Sequence, residues 1–237
     1  MVDVREAITF TLWLCGCNLK CPFCHNHLLA SSDPSVCFPL SIDNLMNDLI
    51  PSKGLIDYFH VTGGEPLMQW RPLVDLLREV RLLGIDISLN TNLTLPDRLL
   101  SLLERVEVDH LATDMKIPPE ELYGLPLGEA VTIWQRFIEG LKIASHRVKK
   151  LEIRVPIVRS LKLDVLRRYA EEALASIEGA EYEIVIYPIV GPPLVNPRDE
   201  KWCELRCNPE RDLLMRAEEE LRDLSGKPVA IRYWLDG

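Results

Sequence analysis

The sequence predicts an α/β fold built on parallel strands. Six short apolar segments alternate with helix-like segments of about 10–15 residues, a pattern typical of β/α units. The chain has 237 residues, of which 47% are hydrophobic, so it can form a single α/β barrel with a substantial core. Polar or cysteine-containing motifs follow the first four predicted strands, where β/α folds usually carry their functional loops.

The predicted elements follow one another in strict alternation. Strands are predicted at 8–14, 57–62, 85–90, 110–115, 151–158 and 183–188. Helices are predicted at 42–49, 70–83, 95–103, 129–144 and 163–177. Ser41 is suited to cap the first helix, and Gly84 to end the second. The tail adds a helix at 209–224 and a strand-like piece at 229–235, so we expect a barrel over 1–190 and a C-terminal extension, 191–237, packed on it.

Composition narrows the class of protein. The net charge of −9 disfavours a nucleic-acid partner, because phosphate binding depends on Lys and Arg. No apolar run approaches the roughly 18 residues of a membrane helix, and the first residues lack the pattern of a signal peptide. We therefore expect a cytoplasmic protein without a membrane association. Four of the seven cysteines lie within 15–24, which in such a protein favours metal or redox chemistry over a disulfide framework.

Three cysteines follow the first predicted strand in a C-x3-C-x2-C pattern: Cys17, Cys21 and Cys24. Closely spaced cysteines bind iron–sulfur clusters, normally four of them. Three on one loop would leave one iron open to a ligand that is not protein. The alternative is a structural zinc site with Cys15, His25 or His27 as its fourth ligand. Zinc sites usually contain two separated ligand pairs, and no second pair lies nearby.

Gly63-Gly64-Glu65-Pro66 follows the second predicted strand. It can be a simple strand-to-helix turn, with glycines adopting unusual φ and Pro66 starting the helix. It can also be a bare backbone edge that the amino and carboxylate groups of a small ligand approach. In that case Glu65 would accept a hydrogen bond from an ammonium group.

Polar residues also end the third and fourth predicted strands. Asn90, Thr91 and Asn92 could bind ribose hydroxyls or could cap a turn. Asp114 could accept from an ammonium group and Lys116 could pair with a carboxylate, or both could be solvated charges. The sequence leaves open whether Arg154, in the fifth strand, points into the barrel or outward.

The remaining cysteines allow several interpretations. Cys203 and Cys207 are spaced so that one helical turn would place both thiols on one face. They could bind a second metal centre, form a redox or stabilising disulfide, or stay unpaired. A second cluster would need two more ligands, and the spare cysteines are Cys15 and Cys37. Phe23, inside the first motif, could cover an adenine or shield a cluster.

The motifs together resemble those of the radical S-adenosylmethionine (SAM) enzymes. The run Gly16-Cys-Asn-Leu-Lys-Cys-Pro-Phe-Cys-His-Asn26 and the run Thr113-Asp-Met-Lys116 look most like the activating enzymes of glycyl-radical enzymes. Within these, the branch of the anaerobic ribonucleotide reductase and pyruvate formate-lyase activating enzymes is the most similar. The resemblance covers about 8–190. The chain departs from longer activating enzymes because it has no eight-cysteine insertion before Gly63, and Cys203 and Cys207 are not part of the pattern.

This resemblance implies a partial (β/α)6 TIM-like barrel with a [4Fe-4S] cluster at its mouth. Cys17, Cys21 and Cys24 would bind three irons, and SAM would bind the fourth through its amino and carboxylate groups. The resemblance assigns Gly63, Gly64 and Glu65 to the SAM amino group, and Asn26 to the surroundings of the cluster. It assigns Asn90, Thr91 and Asn92 to the ribose of SAM. Asp114 and Lys116 are assigned to its methionyl group.

The implied activity is reductive cleavage of SAM to a 5′-deoxyadenosyl radical, which would activate a glycyl-radical partner enzyme. A flavodoxin or a ferredoxin-type protein would supply the electron. One alternative is a radical SAM enzyme that modifies a small molecule, a peptide or an RNA base. The alternative from another class is a non-catalytic iron–sulfur or zinc protein.

Overall fold

The computed structural model describes residues 4–179 and 181–233. Its strands form one parallel sheet in the order β1-β2-β3-β4-β5-β6-β7, so neighbours in the chain are neighbours in the sheet. The strands are β1 (Thr9–Leu14), β2 (Tyr58–Gly63), β3 (Asp86–Asn90), β4 (His110–Asp114), β5 (Lys150–Ile157), β6 (Tyr182–Pro188) and β7 (Val229–Ile231). The fold is therefore an α/β partial barrel, with β1 and β7 as its outer strands.

Helices connect the strands. They are α1 (His27–Ala30), α2 (Ile42–Ser52), α3 (Trp70–Leu82), α4 (Pro96–Leu103), α5 (Pro119–Leu122), α6 (Leu127–Arg147), α7 (Leu163–Leu174), α8 (Glu200–Arg206) and α9 (Arg211–Ser225), with a 3-10 turn at Pro66–Gln69. Ser41 caps α2 as expected, because its hydroxyl accepts from the backbone N–H of Asn44 at 3.1 Å. None of the helices in the described part of the chain is long and apolar enough to cross a membrane.

The six predicted strands and the helices between them are all present. The sheet nevertheless has seven strands and not six, because the strand-like piece of the tail contributes β7, which pairs with β6 in the register Ile184↔Val229. The predicted piece 229–235 also included residues beyond 233, which lie outside the described residues. Sequence reasoning missed α1, α5 and α8, since helices of one or two turns show too little periodicity to recognise.

Alternate residues of each strand lie on opposite faces of the sheet. One face is apolar and packs against the helices, and it includes the fully buried Phe59, Val61, Ile87, Leu89 and Leu111. The other, here called the inner face, carries polar side chains in matching register: His60, Thr62, Ser88, Asn90, His110, Asp114, Glu152 and Arg154. The strand ends that carry the sequence motifs therefore meet above a polar surface.

Hydrogen bonds continue across the inner face from strand to strand. The Ser88 hydroxyl lies 2.8 Å from His60 Nδ1 and 2.9 Å from His110 Nδ1. Burial lowers the pKa of His110. Arg232, just after β7, forms an ion pair with the buried Glu152 of β5 at 2.9 Å. These contacts satisfy polar groups that would otherwise be costly to bury.

Candidate functional site

The three cysteines of the first motif lie on the loop after β1 and are free thiols, with Cys21 buried and the other two half-buried. The backbone holds this loop firmly. Gly16 N–H donates to the Leu29 carbonyl at 2.9 Å, and Lys20 N–H donates to the Tyr123 carbonyl at 3.0 Å. The thiols are therefore presented on an ordered loop at the carboxyl edge of the sheet.

The glycines after β2 lie directly against the cysteine loop. Gly64 N–H donates to the Leu14 carbonyl, and Glu65 N–H donates to the Gly16 carbonyl, both at 2.7 Å. A Cβ on Gly63, whose φ is +120°, would lie 2.3 Å from the Leu14 carbonyl oxygen. A Cβ on Gly64 would lie 2.2 Å from the Gly16 carbonyl oxygen. Close approach of two backbones thus requires glycine at both positions.

Glu65 is fully buried and links the loops after β2 and β3. Its Oε1 accepts from the Thr91 hydroxyl at 2.7 Å and from Leu67 N–H at 3.0 Å. Its Oε2 accepts from Asn92 N–H at 2.7 Å. Burial raises the pKa of Glu65, although the three hydrogen bonds act in the opposite direction. In this arrangement the carboxylate organises the loops, a role that the motif alone did not indicate.

The polar residues at the end of β3 separate in space. Asn90 lies on the inner face, where its amide donates to the Thr62 hydroxyl at 3.0 Å and its oxygen accepts from Arg154. Thr91 is buried behind the loop with Glu65. Asn92 turns toward the cysteine loop, with Nδ2 at 3.9 Å from the Cys17 sulfur. Thr91 therefore contributes to the packing of the turn, whereas Asn90 lies on the inner face and Asn92 beside the cysteine loop.

Asp114, Lys116 and Arg154 form one charged group on the inner face. Lys116 Nζ donates to Asp114 Oδ2 at 3.0 Å, and Arg154 Nε lies 3.1 Å from Asp114 Oδ1. Burial opposes ionisation of Asp114, but the charges of Lys116 and Arg154 outweigh it and lower its pKa to about 2. Lys116 is buried, so the alternative of solvated charges is wrong for it. The open question about Arg154 is resolved, because its side chain points inward.

Burial dominates the electrostatics of the three thiols. It raises the pKa of Cys17 to about 11 and that of Cys21 to about 12, and it also raises the pKa of Cys24. Cysteine binds metals as the thiolate, so metal binding here must displace protons. Asn92, from the loop after β3, lies beside Cys17, and the charges of Lys116 and Arg198 lower the pKa of Cys21 and of Cys24 respectively, against the effect of burial.

The ligand set fits an iron–sulfur cluster. In residues 4–179 and 181–233, no three His, Cys, Asp or Glu side chains are gathered around one metal-ion position. A zinc site needs its ligands at about 2.0–2.3 Å from a single ion, whereas the cysteines of a cluster bind different irons. Cys15, one candidate for a fourth zinc ligand, is bonded to Cys37. Three free thiols beside a glycine-lined backbone therefore suit a cluster better than a zinc ion.

The prediction of a second metal centre is wrong for this structure. Cys15 and Cys37 form a disulfide with a Cα–Cα distance of 6.2 Å, and Cys203 and Cys207 form another at 4.8 Å. All four spare cysteines are thus paired. The physical reason for the second pair is the spacing, because Cys203 lies in α8 and Cys207 ends that helix four residues later on the same side.

The segment after β6 returns to the cysteine loop. Asp199 N–H donates to the Pro22 carbonyl at 3.0 Å, and the rings of Phe23 and Trp202 lie 6.1 Å apart. Phe23 is therefore half-covered by the C-terminal segment. Asn26 lies on the other side, where its backbone N–H donates to the Cys24 sulfur. Asn26 thus lies beside the Cys24 thiol, and its assignment to the surroundings of a cluster stays a prediction.

Two contributors to the site were missed from the sequence. Arg198 belongs to a segment more than 170 residues after Cys24, where no motif marks it, and its charge lowers the pKa of the Cys24 thiol. Asn18 lies inside the cysteine motif and accepts from Asn92 Nδ2 at 3.0 Å. Its position between Cys17 and Cys21 was the available signal, since a polar residue there must face either solvent or a neighbouring loop.

Comparisons with known proteins agree with this geometry. The sequence profile of the Radical SAM superfamily matches residues 12–173. A candidate glycyl-radical enzyme activating enzyme of Methanocaldococcus jannaschii is 26% identical over 115 residues, which is 48% of this chain and 46% of that protein. The pyruvate formate-lyase-activating enzyme of Staphylococcus aureus is 32% identical over 90 residues, 36% of this chain and 35% of that one.

Other relatives have different activities. The 7-carboxy-7-deazaguanine synthase of Hyperthermus butylicus is 38% identical over 86 residues, 35% of this chain and 34% of that protein. The matches thus span less than half the length of these curated relatives. Among solved structures, Streptococcus suis SuiB bound to its precursor peptide SuiA has a TM-score of 0.63 at 16% identity, over 95% of this chain and 48% of that one, a similarity of fold alone.

Proposed function

Because the chain belongs to the radical SAM superfamily, we propose that Cys17, Cys21 and Cys24 each bind one iron of a [4Fe-4S] cluster and that SAM binds the fourth. The observation that carries this proposal is the set of three free thiols on a loop that two backbone hydrogen bonds join to Gly64 and Glu65. When bound, the cluster and SAM supply the chemistry of reductive cleavage to a 5′-deoxyadenosyl radical.

The chain's own residues would bind and orient SAM. Gly63 and Gly64 present a backbone edge on which the amino group can lie. Asp114 and Lys116 offer one negative and one positive group on the inner face, which matches the zwitterionic methionyl group. Asn90 can donate to the ribose.

Residues around this set would position it without contacting the methionyl group. Glu65 and Thr91 fix the loops after β2 and β3 through their mutual hydrogen bond at 2.7 Å. Asn92 and Asn26 lie beside the cluster ligands. Phe23, packed near Trp202, would shield the cluster from water.

The substrate that we propose first is a glycyl-radical enzyme, which the chain would activate by hydrogen abstraction from a backbone glycine. The matches to two activating enzymes support this role. The sheet order also supports it, because β1 and β7 are outer strands that do not pair with each other. The inner face is then open at the side, so that a loop of a partner protein could enter.

A second candidate is the modification of a small polar molecule. The similarity to 7-carboxy-7-deazaguanine synthase favours it. So does the charge of the inner face, where Arg154 borders the proposed SAM site and Glu152 and Arg232 continue the row of charges away from it. A peptide or an RNA base belongs to the same class of alternatives, but no contact in the structure favours either.

The cluster assignment can be tested on the purified chain. After anaerobic reconstitution, iron and sulfide analysis should give four of each per chain. Serine in place of Cys17, Cys21 or Cys24 should abolish the loading. The matched control replaces both Cys203 and Cys207 by Ala and should leave the iron content unchanged. Iron lost from the control, or retained in the three single variants, would reject the assignment.

The activating role needs a second experiment. The reconstituted chain is incubated with SAM, dithionite and candidate glycyl-radical enzymes, and the glycyl radical is sought by electron paramagnetic resonance. Formation of 5′-deoxyadenosine is measured in the same samples. A glycyl radical on one partner supports activation, whereas 5′-deoxyadenosine without a radical on any partner supports the second candidate.

The remaining parts of the proposal concern the location of the enzyme, its electron donor and its division into domains. We place it in the cytoplasm, with a flavodoxin or a ferredoxin-type protein as its electron donor. We also divide the chain into a barrel, 1–190, and an extension, 191–237. The hydrogen bond from Asp199 to Pro22 supports an extension that packs on the barrel.

A further inference from the structure

Arg198 belongs to a C-terminal segment that packs on the cysteine loop, in the part of the chain to which the family resemblance assigns no role. The adjacent residue anchors it, because Asp199 N–H donates to the Pro22 carbonyl at 3.0 Å. The positive charge of Arg198 acts on the Cys24 thiol more strongly than any other charge does. Because Pro22 precedes Cys24 by two residues, the hydrogen bond from Asp199 holds the Arg198 segment against the part of the loop that carries Cys24.

The Arg198 side chain has a buried donor without an acceptor. Nη1 is inaccessible to solvent and has no hydrogen-bond partner in the described part of the chain. The neighbouring carboxylate of Asp199 instead caps α8, where its Oδ1 accepts from Trp202 N–H at 2.9 Å. Buried donors of charged groups are rarely left unpaired, since the loss of solvation is costly.

We propose that Arg198 donates Nη1–H to the sulfur atoms of the iron–sulfur cluster at Cys24 and thereby raises the reduction potential of the cluster. This inference rests on the cluster assignment proposed above. The reduced cluster carries one more negative charge than the oxidised cluster, so a nearby positive donor stabilises the reduced form more. Hydrogen bonds to the sulfurs and net charge are recognised determinants of cluster potential.

Arg198 is then a positioning and tuning residue that belongs to the extension and not to the cysteine motif. The extension would contribute to electron uptake through this contact, apart from any effect on stability. An exposed positive charge on the same segment should contribute much less, because solvent and salt screen it. Lys201, exposed on α8, offers that comparison.

The test is a redox titration of the reconstituted full-length protein with dithionite, monitored by electron paramagnetic resonance. Arg198→Gln should lower the potential, so that the ratio of reduced to oxidised cluster at a fixed solution potential falls about tenfold, or about 59 mV for one electron. Lys201→Gln removes a charge from the same segment and should shift the ratio far less. An unchanged potential in Arg198→Gln, or a shift no larger than that of Lys201→Gln, overturns the proposal.

Iron and sulfide analysis precedes each titration and separates the possible failures. A wild-type chain that cannot hold a [4Fe-4S] cluster overturns the proposed function, and this inference with it. If the wild-type protein holds the cluster but Arg198→Gln leaves its reduction potential unchanged, this inference alone is overturned. If Arg198→Gln does not hold the cluster, Arg198→Lys is titrated in its place. Lysine keeps the charge but loses the planar fork of donors, so a smaller negative shift is expected and an unchanged potential again overturns the proposal.

Discussion

The carboxylate of Glu65 accepts a hydrogen bond from the backbone N–H of Asn92 at 2.7 Å, although the two residues belong to loops after different strands. The same carboxylate holds the Thr91 hydroxyl at 2.7 Å. Asn92 in turn places its amide near the Cys17 sulfur. Through this buried residue, the loop after β3 is fixed relative to the thiols.

Glu65→Gln should destabilise the protein. Glutamine keeps one acceptor oxygen but turns an NH2 group toward a donor, and a buried donor without an acceptor costs about 1–3 kcal/mol. Anaerobic urea denaturation of the metal-free protein measures this change. Glu79→Gln, an exposed substitution in α3, is the control and should stay within about 0.5 kcal/mol of wild type. Equal effects of the two substitutions would contradict the structural role of Glu65.

Gly64→Ala should impair cluster loading. The added Cβ would lie 2.2 Å from the Gly16 carbonyl oxygen, so the cysteine loop must move away from β2. Overpacking of this kind costs about 1–3 kcal/mol. We expect a lower unfolding midpoint and less than half of the wild-type iron after reconstitution. Gly54→Ala adds a Cβ with no atom within 4 Å and should retain full loading. Normal iron content in Gly64→Ala would refute the packing argument.

Asp114→Asn should lower stability in a manner that depends on pH. The folded pKa of about 2 lies below the usual value of 3.8, so the ionised carboxylate stabilises the fold above that usual value. The contribution is about 2 kcal/mol at neutral pH and is lost as the pH falls from about 4 toward 2. Chemical denaturation at several pH values should therefore show the gap between wild type and variant closing in acid. Asp75→Asn, on the exposed face of α3, is the control. A stability difference that does not change with pH, or an equal difference in this control, would argue against the Asp114–Lys116 and Asp114–Arg154 pairs.

Three of the seven cysteines should react with an alkylating reagent in metal-free protein that is unfolded without reductant. The other four are held in the pairs Cys15–Cys37 and Cys203–Cys207. Mass spectrometry counts the adducts before and after reduction, and the counts should be three and seven. Cys203→Ala should raise the first count to four by releasing Cys207. Seven adducts without reductant would show that neither disulfide forms.

The strands and the three-cysteine motif could be recognised from the sequence because each has a local signal. β2 to β6 are short apolar runs between helices, and Cys17, Cys21 and Cys24 follow β1 at a distinctive spacing. The membership of β7 in the sheet depends on its partner β6 and on the Arg232–Glu152 ion pair, which no local pattern contains.

Contacts within the site were harder to predict, because they join side chains from distant loops. Glu65 was expected to accept a hydrogen bond from the ammonium group of a ligand, since its motif does not reveal that Thr91 and Asn92 donate to its carboxylate. Arg198 was not anticipated, because its position depends on how the extension returns to Pro22. In both cases the position of the side chain depends on contacts between residues that are far apart in the chain. The sequence motifs indicate only contacts between residues that are close together in the chain.

The Cys15–Cys37 disulfide encloses the whole cysteine motif within one covalent ring, with a sequence separation of 22. A ring of this size reduces the conformational entropy of the unfolded chain by an amount equivalent to about 3 kcal/mol at 25 °C. The three thiols therefore cannot diffuse far apart even when the barrel opens. A chain that has lost its iron therefore keeps the three thiols at high local concentration. The disulfide ring should in this way favour reassembly of a cluster on the same loop.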